Sequence, residues 1–201
     1  MDTVDSSPSR TPVRSNRPDV FVMLLLVASL SLNVYLGWRL KQGTPIRAQS
    51  TVNLTAGMKV APVYAKDGDG KPVTISYDST NKPTVFYVMS PSCIWCKRNQ
   101  ANIDKIAEAK ANDFRFVGLS LAETGLKEYF EEHAFKFPVY AGLTKETVQA
   151  LGLGGTPETI VVSSEGKILK VWSGAYVADV QPEVETFFGI KLPGLTSLGQ
   201  E

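Results

Sequence analysis

The sequence has few of the residues that build metal clusters and disulfide-stabilised folds. Its 201 residues include two cysteines and one histidine, which excludes a disulfide-stapled small fold and a four-thiolate zinc site. The chain also has almost no excess of either charge, since it has 21 Lys and Arg and 20 Asp and Glu, a net charge of +1. Nucleic-acid-binding proteins are typically strongly basic, so we expect no nucleic-acid partner.

Charged residues are missing altogether from one long stretch, residues 20–38, an apolar run of 19 residues. As a helix this run would be about 28 Å long, close to the roughly 30 Å hydrocarbon core of a bilayer. Tyr35 and Trp38 at its end are typical of the membrane interface, and no small-residue cleavage pattern follows. We therefore predict an uncleaved single-pass transmembrane anchor. Its flanks are equally basic, so charge leaves its orientation undecided.

Composition divides the rest of the chain into one globular domain and polar flanks. Residues 1–19 are rich in Ser, Pro, Thr and Arg, and we expect them to be disordered. Residues 39–57 have the composition of a polar tether. The pattern is globular over residues 58–192, long enough for one hydrophobic core, and 193–201 are predicted to form a short tail.

Strand-like and helix-like segments alternate within the globular domain. A turn at 67–70 leads into a strand, and the uncharged run 84–89 is typical of a strand buried on both faces. Apolar spacing after residue 92 predicts a helix. Further strands are predicted at 114–121, 137–140, 158–163 and 167–172, and further helices at 126–134, 145–151 and 178–188. Such alternation, ending in a hairpin and a helix, predicts an α/β sandwich.

The two cysteines lie where the uncharged strand gives way to the helix. Cys93 and Cys96 are three positions apart and therefore share one helix face. Free backbone N–H groups at a helix start stabilise a thiolate and lower the pKa of the first cysteine. The arrangement suits thiol–disulfide exchange, in which Cys93 attacks a partner's disulfide and Cys96 resolves the mixed disulfide. We expect both cysteines to be catalytic.

Other uses of a Cys-x-x-Cys motif fit this sequence less well. Zinc needs two further ligands, for which only His133 offers a nitrogen, and covalent haem needs a histidine where Lys97 stands. We expect no metal and no cofactor. The main alternative is a copper-delivery protein that binds Cu(I) through Cys93, Cys96 and His133, because thiolates suit this soft ion. A peroxidase fits less well, because the Pro-x-x-x-Thr-x-x-Cys context is absent.

A second motif, Gly154-Gly155-Thr156-Pro157, directly precedes the strand predicted at 158. An X-Pro bond here is a candidate for the cis form, which would lay the Thr156 backbone beside the cysteines. A trans proline that opens a strand is the ordinary alternative. Exposed backbone at this place can pair with an extended segment of a substrate.

Seven short motifs occur in an order that resembles a known family. They are Ala61-Pro62, Asp69 to Val73, Lys82 to Phe86, Cys93 with Cys96, Phe137 to Val139, Gly155 to Pro157 and Gly166 to Ile168. Together they resemble the membrane-tethered, thioredoxin-like redoxins of bacteria, the TlpA/ResA type, over about residues 58–190. The resemblance implies a thioredoxin fold, a central mixed sheet flanked by helices, with an N-terminal hairpin extension. In this chain the transmembrane helix would precede that fold.

The resemblance also implies a site and a location. Pro157 is expected to be cis, and Thr156, Pro157 and Trp95 to bind the substrate. The domain is expected on the periplasmic or outer face of the bacterial inner membrane, the oxidising side where disulfides form. Its partners would be extracytoplasmic protein thiols and disulfides, reduced during maturation of cytochrome c or another cofactor protein. A membrane electron donor would re-reduce it.

Two positions that are acidic in related proteins are neutral here. Six residues before the first cysteine, where thioredoxins carry a buried Asp, stands Tyr87. Three residues after the second, where TlpA/ResA-type proteins often carry Glu, stands Asn99. A carboxylate that takes the proton of Cys96 is thus missing from both familiar places. Glu158 and Glu123 are candidate substitutes, and a solvated surface charge is the ordinary alternative for each.

Overall fold

The structure, a computed structural model, describes residues 20–43, 53–78 and 81–197. The predicted disordered segment at 1–19, the middle of the tether and the end of the tail lie outside the described residues. Helix α1 spans Val20–Gly43 and so continues five residues beyond the predicted anchor. Within the described ranges it is the one helix long and apolar enough to cross a membrane, over Val20–Trp38.

An N-terminal hairpin opens the globular domain. Its strands β1 (Val63–Lys66) and β2 (Pro72–Ile75) are antiparallel and are joined by the predicted turn. In that turn the Asp67 carboxylate accepts hydrogen bonds from the N–H groups of Asp69 and Lys71, and Gly70 supplies the positive φ of 78°. The hairpin extension that the family resemblance implies is therefore present.

A five-stranded mixed sheet forms the centre of the domain. Its strands are β3 (Thr84–Met89), β4 (Arg115–Ser120), β5 (Val139–Tyr140), β6 (Glu158–Val162) and β7 (Ile168–Ser173). They lie in the order β5-β4-β3-β6-β7, with β3, β4 and β5 parallel and β6 antiparallel to both its neighbours. All of β3 is buried, because an uncharged, β-prone run suits a central strand that is covered on both faces.

Four helices complete the domain: α2 (Ile94–Lys110), α3 (Leu126–Glu132), α4 (Lys145–Ala150) and α5 (Val180–Phe188). Side chains alternate along β3, so each face of the sheet has its own core. Val85, Tyr87 and Met89 pack with residues of α2, α3 and α5. Phe86 and Val88 pack on the opposite face, against the N-terminal hairpin and the end of α4. Each fully buried apolar side chain of this size stabilises the fold by about 1.5–3 kcal/mol.

The segment that leads into β1 runs from one edge of the sheet to the other. Beside β7, the Gly57 N–H donates to the Ile168 carbonyl at 2.8 Å. Beside β5, Lys66 and Ala141 exchange backbone hydrogen bonds of 2.7 and 3.0 Å. Residues 57–66 therefore contact both outer strands. Gly57, which composition places in the tether, is bonded to the sheet.

The structure confirms the predicted mixed sheet flanked by helices, and β3 has the predicted bounds. Several elements are one or two residues shorter than predicted, among them α3 and β5. Helix α3 ends at Glu132 because His133 has φ −134° and ψ 70°, outside the helical region. Strand β5 is only two residues long, pairing with β4 at Gly118 and Leu119.

Candidate active site

The first cysteine caps the start of α2, directly after the loop that leaves β3. Cys93 has extended backbone angles, φ −83° and ψ 107°, as expected for an N-cap residue. Its own N–H donates to the Ser90 carbonyl at 3.0 Å. Its sulfur accepts a hydrogen bond from the Cys96 N–H at 3.1 Å, the bond that a serine or threonine cap accepts with oxygen. The helix start therefore presents its free N–H groups to this sulfur.

Those hydrogen bonds make Cys93 acidic. Its pKa is lowered to about 6, first because the Cys96 side chain donates to its sulfur. Hydrogen bonds from the Thr156 side chain and from backbone N–H groups at the helix start act in the same direction, against partial burial. A group with this pKa is mostly thiolate at neutral pH, which is the nucleophilic form.

The second cysteine has the opposite character. Cys96 is fully buried, and its pKa is raised well above the ordinary thiol value by the hydrogen bond to Cys93 and by burial. It therefore holds its proton while Cys93 is a thiolate. Both cysteines are free thiols in this structure. The pair combines a partly exposed thiol of lowered pKa with a shielded thiol of the same helix turn.

The Thr156–Pro157 motif lies beside Cys93. The bond between these two residues is cis, and the Cys93 sulfur is 3.4 Å from the Thr156 carbonyl oxygen. Register explains this proximity, because Glu158 pairs with Val88 near the end of β3, from which the cysteine loop departs. The fold thus brings together two motifs that are 63 positions apart. That Thr156 and Pro157 bind the substrate stays a prediction.

Trp95, the other predicted substrate-binding residue, lies exposed between the two cysteines. Its side chain is 46% exposed and that of Ile94 is 44% exposed, although both are large and apolar. The guanidinium carbon of Arg98 lies 4.8 Å from the centroid of the Trp95 ring. Two exposed apolar side chains therefore directly follow Cys93 in the chain.

The two neutral replacements, Tyr87 and Asn99, are both buried next to Cys96. The Tyr87 hydroxyl lies 3.5 Å from the Cys96 carbonyl oxygen, and burial raises the pKa of Tyr87 well above its usual value. Asn99 accepts hydrogen bonds from the Asn102 side chain at 3.0 Å and from the Tyr176 N–H at 3.1 Å. Neither group is a proton acceptor at neutral pH, so the core beside Cys96 holds hydrogen-bonding groups in place of a base.

Sequence reasoning missed the extent of this polar network. The Tyr176 hydroxyl is 2.7 Å from Thr159 Oγ1, two residues beyond Pro157, and both side chains are fully buried. A signal existed for one part of it. Asn99 and Asn102 lie on the same helix face as the buried Ile103 and Ile106, where polar residues need buried partners.

The two candidate carboxylates have different surroundings. Glu158 follows Pro157 directly, and burial raises its pKa to about 7, opposed by a hydrogen bond with Ser173 at 3.3 Å. Glu123 is 64% exposed and lies 3.9 Å from the Lys66 ammonium group of the hairpin. Of the two, Glu158 has the environment of a group that exchanges protons near neutral pH.

His133 does not support the copper hypothesis. Its ring lies 5.0 Å from that of Tyr129, and its Nε2 is 3.7 Å from the Glu132 carboxylate. Among the described residues, which include Cys93 and Cys96, no three His, Cys, Asp or Glu side chains are grouped so as to hold a metal ion. The proposed three-residue copper site is therefore wrong, because His133 ends α3 and faces that helix.

Comparison with known proteins agrees with this geometry. The sequence profile of the Redoxin family matches residues 55–186, and no curated protein sequence matches the chain. The thioredoxin domain of a thiol-disulfide oxidoreductase from Bacteroides vulgatus superposes with a TM-score of 0.56 at 24% identity, over 68% of this chain and 99% of that one. A thiol:disulfide interchange protein from a Bacteroides species has a TM-score of 0.54 at 24% identity, over 68% and 91%.

StoA from Bacillus subtilis has a TM-score of 0.50 at 14% identity, over 63% of this chain and 96% of that one. All three identities are below 25%, so these likenesses establish the thioredoxin fold and nothing finer. The profile match covers well over half of the chain, including both cysteines and Pro157. The chain belongs to the Redoxin family and is an oxidoreductase of thioredoxin fold.

Proposed function

We propose that this oxidoreductase reduces disulfide bonds of partner proteins, with Cys93 as the nucleophile and Cys96 as the resolving thiol. The observation that carries the proposal is the contrast between the two sulfurs. Cys93 caps a helix start, is partly exposed and has a pKa of about 6, whereas Cys96 is buried and stays protonated. Exchange needs one reactive thiolate and one thiol held in reserve.

The reaction follows from these roles. The Cys93 thiolate attacks one sulfur of the partner's disulfide, forms a mixed disulfide and releases the other sulfur as a thiolate, which takes up a proton. Cys96 then loses its proton and attacks the Cys93 sulfur. The second partner sulfur leaves and is protonated, and a Cys93–Cys96 disulfide remains. The partner gains two electrons that the dithiol loses, and a dithiol donor in the membrane restores the Cys93–Cys96 dithiol by the same exchange chemistry.

Substrate binding is proposed for Thr156, Pro157 and Trp95. The Thr156 carbonyl lies 3.4 Å from the reacting sulfur, so backbone at this position can align an extended segment of the partner across Cys93. The exposed indole of Trp95, two positions after Cys93, offers an apolar contact to the same partner.

The location is proposed from the chain's first helix. Val20–Trp38 is long and apolar enough to anchor the protein in the bacterial inner membrane, with 39–57 as a tether to the domain at 58–192. A fixed dithiol domain acts usefully on the periplasmic or outer face, where disulfides form and need correction. The TlpA/ResA resemblance favours a reducing role in the maturation of cytochrome c or another cofactor protein.

Trapping tests the proposed chemistry directly. The full-length Cys96→Ser variant, mixed with an oxidised substrate protein, should accumulate a mixed disulfide that dithiothreitol releases, because no thiol remains to resolve it. The matched Cys93→Ser variant should form none. If Cys96→Ser traps no partner, or if Cys93→Ser traps as well, the assigned roles are wrong.

Direction and topology need separate measurements. A standard potential of the domain near −270 mV would support a reductase, and one near −120 mV would overturn that direction. In inner-membrane vesicles of known orientation, we expect protease to digest the domain only when the protease has access to the periplasmic face of the membrane. A domain protected there would contradict the proposed topology.

A further inference from the structure

A short C-terminal segment lies along α2 beside the active site. The Thr196 N–H donates to the Arg98 carbonyl at 3.0 Å, and the Arg98 Nε donates back to the Thr196 carbonyl at 3.1 Å. Two residues earlier, the Gly194 N–H donates to Asn102 Oδ1 at 2.9 Å. Residues 193–197, here called the C-terminal strap, are therefore bonded at two levels to the helix that carries the cysteines.

The residue that binds the strap also contacts the indole of the active-site motif. Arg98 lies 4.8 Å from the Trp95 ring centroid, within the roughly 6 Å range of cation–π interactions. Its Nε is engaged with the strap at the same time. The guanidinium group is thus fixed by the strap backbone while it lies against the indole.

This contact matters because of where Trp95 lies. It is exposed and lies two positions after Cys93 in the chain, so a partner whose disulfide reaches Cys93 comes close to this residue. Ordering a free, rotamer-rich side chain on binding costs affinity. An indole that is already held offers its flat apolar surface without that cost. Ile94, also exposed, extends this surface.

We propose that Arg98, fixed by the C-terminal strap, holds Trp95 as a binding surface for an apolar side chain next to the reacting cysteine of a partner protein. Arg98 is then a positioning residue that sets substrate preference. This inference rests on the proposed function, because it assumes that Cys93 attacks partner disulfides.

Apolar chemistry fits the surface better than acidic chemistry. The two exposed side chains that follow Cys93 in the chain, Ile94 and Trp95, are both hydrocarbon-rich. The one cation in contact with the indole, among the described residues, already donates to a carbonyl and lies against the ring. A leucine or methionine of the partner would cover the indole and be removed from water itself. This burial of apolar surface stabilises the complex.

The test compares three disulfide-bonded peptides that differ only in the residue next to the cysteine: leucine, serine or aspartate. With the full-length protein we expect kcat/KM for the leucine peptide to exceed that for the serine peptide about tenfold, the lower end of what a single apolar contact achieves. Trp95→Ala should remove this preference and bring the ratio of the two kcat/KM values to about one. Arg98→Lys, which keeps the charge but loses the planar stack, should lower the ratio about threefold, in line with an exposed cation–π contact.

Two matched controls separate positioning from charge and from side-chain loss. Lys97→Ala removes the neighbouring cation, which lies 5.7 Å from the Tyr129 ring instead, and should leave the ratio unchanged. Thr196→Pro deletes the N–H that bonds to Arg98 and should lower the ratio like Arg98→Lys. Thr196→Ala keeps that N–H and should not. The readout is the ratio of kcat/KM for the leucine peptide to that for the serine peptide. A change in the intrinsic reactivity of the thiols affects both values equally and therefore cancels in this ratio.

The outcomes distinguish the inference from the function on which it rests. If the unmodified protein reduces neither the peptides nor glutathione disulfide, the proposed function fails. If it reduces all three peptides equally, prefers the aspartate peptide, or keeps its full leucine preference, undiminished, in both Arg98→Lys and Thr196→Pro, the function stands and the inference is wrong. Reduction of glutathione disulfide by each variant shows that its thiols are intact.

Discussion

The Tyr176 N–H donates a 3.1 Å hydrogen bond to the Asn99 side chain inside the core. Through the Tyr176 hydroxyl, 2.7 Å from Thr159, this bond connects the cysteine helix with the strand that follows the cis proline. The two halves of the active site are therefore held in register by uncharged groups. Such a buried network is costly to disrupt because a lost partner leaves a polar group unsatisfied.

The first prediction concerns the thiolate of Cys93. In the reduced protein, alkylation of Cys93 by iodoacetamide should rise with pH around a midpoint near 6, because the lowered pKa makes the thiolate available above that pH. In urea the midpoint should return to about 8.5, the value of a free cysteine. Peptide mass spectrometry locates the label. A native midpoint near 8.5 would contradict the assigned hydrogen bonds, and Cys96, which is buried, should stay unlabelled in the folded protein.

The second prediction concerns Glu158 as the proton acceptor for Cys96. Glu158→Gln should slow resolution of the mixed disulfide and remove a limb of its pH–rate profile near pH 7, the pKa of this carboxyl group. Stopped-flow measurement of disulfide release after trapping reports this step. Glu123→Gln, at an exposed carboxylate 3.9 Å from Lys66, is the matched control. Identical profiles for the two variants would exclude the role.

The third prediction uses the same carboxyl group as a probe of stability. Its pKa is raised from 4.5 to about 7 on folding, so the folded state binds more protons than the unfolded state between these values. The free energy of unfolding should then fall, relative to Glu158→Gln, as pH rises from about 4.5 to 7, and the difference should be constant above that range. Urea denaturation at a series of pH values measures this. A difference that does not change with pH would show that Glu158 is not perturbed.

The fourth prediction addresses the Thr159–Tyr176 pair. Tyr176→Phe or Thr159→Val alone should lower the free energy of unfolding by about 1–3 kcal/mol, because each leaves a buried hydroxyl without its partner. The double variant should lose less than the sum, since no unpaired group remains. Urea denaturation of the four proteins gives the coupling energy. Tyr64→Phe, at a ring that is 45% exposed, should change stability by less than about 0.5 kcal/mol. Simple additivity would mean that the hydroxyls are not coupled.

The fifth prediction concerns the close contact between β4 and β5. A Cβ on Gly118 would lie 2.6 Å from Val139 Cγ2, so Gly118→Ala should destabilise the domain by about 1–3 kcal/mol through overpacking. Gly68→Ala, where nothing lies within 4 Å, is the matched control. Adding Val139→Ala should recover part of the loss, as measured by thermal unfolding. Equal effects at both glycines would show that this strand contact is loose.

Features with a strong local signal were predictable. The uncharged run of β3 and the position of Cys93 at a helix start follow from residues close together in the chain, and the structure has both. The cis form of Pro157 came from family resemblance, because the residues alone left trans open. Contacts between positions far apart in the sequence could not be predicted. Asn99 and Tyr176 are 77 positions apart and Arg98 and Thr196 are 98 apart, so their meeting depends on how whole elements pack.

The segment at 57–66 has a consequence for how the protein behaves in a crowded compartment. Strands at the outer edges of a sheet carry unpaired backbone groups that can recruit strands of other molecules into aggregates. Here Gly57 is bonded to β7, and Lys66 is bonded to Ala141, the residue that follows β5, so one stretch of chain lies at both of these edges. These bonds leave fewer free backbone groups at the two edges for extended, partly unfolded chains to pair with.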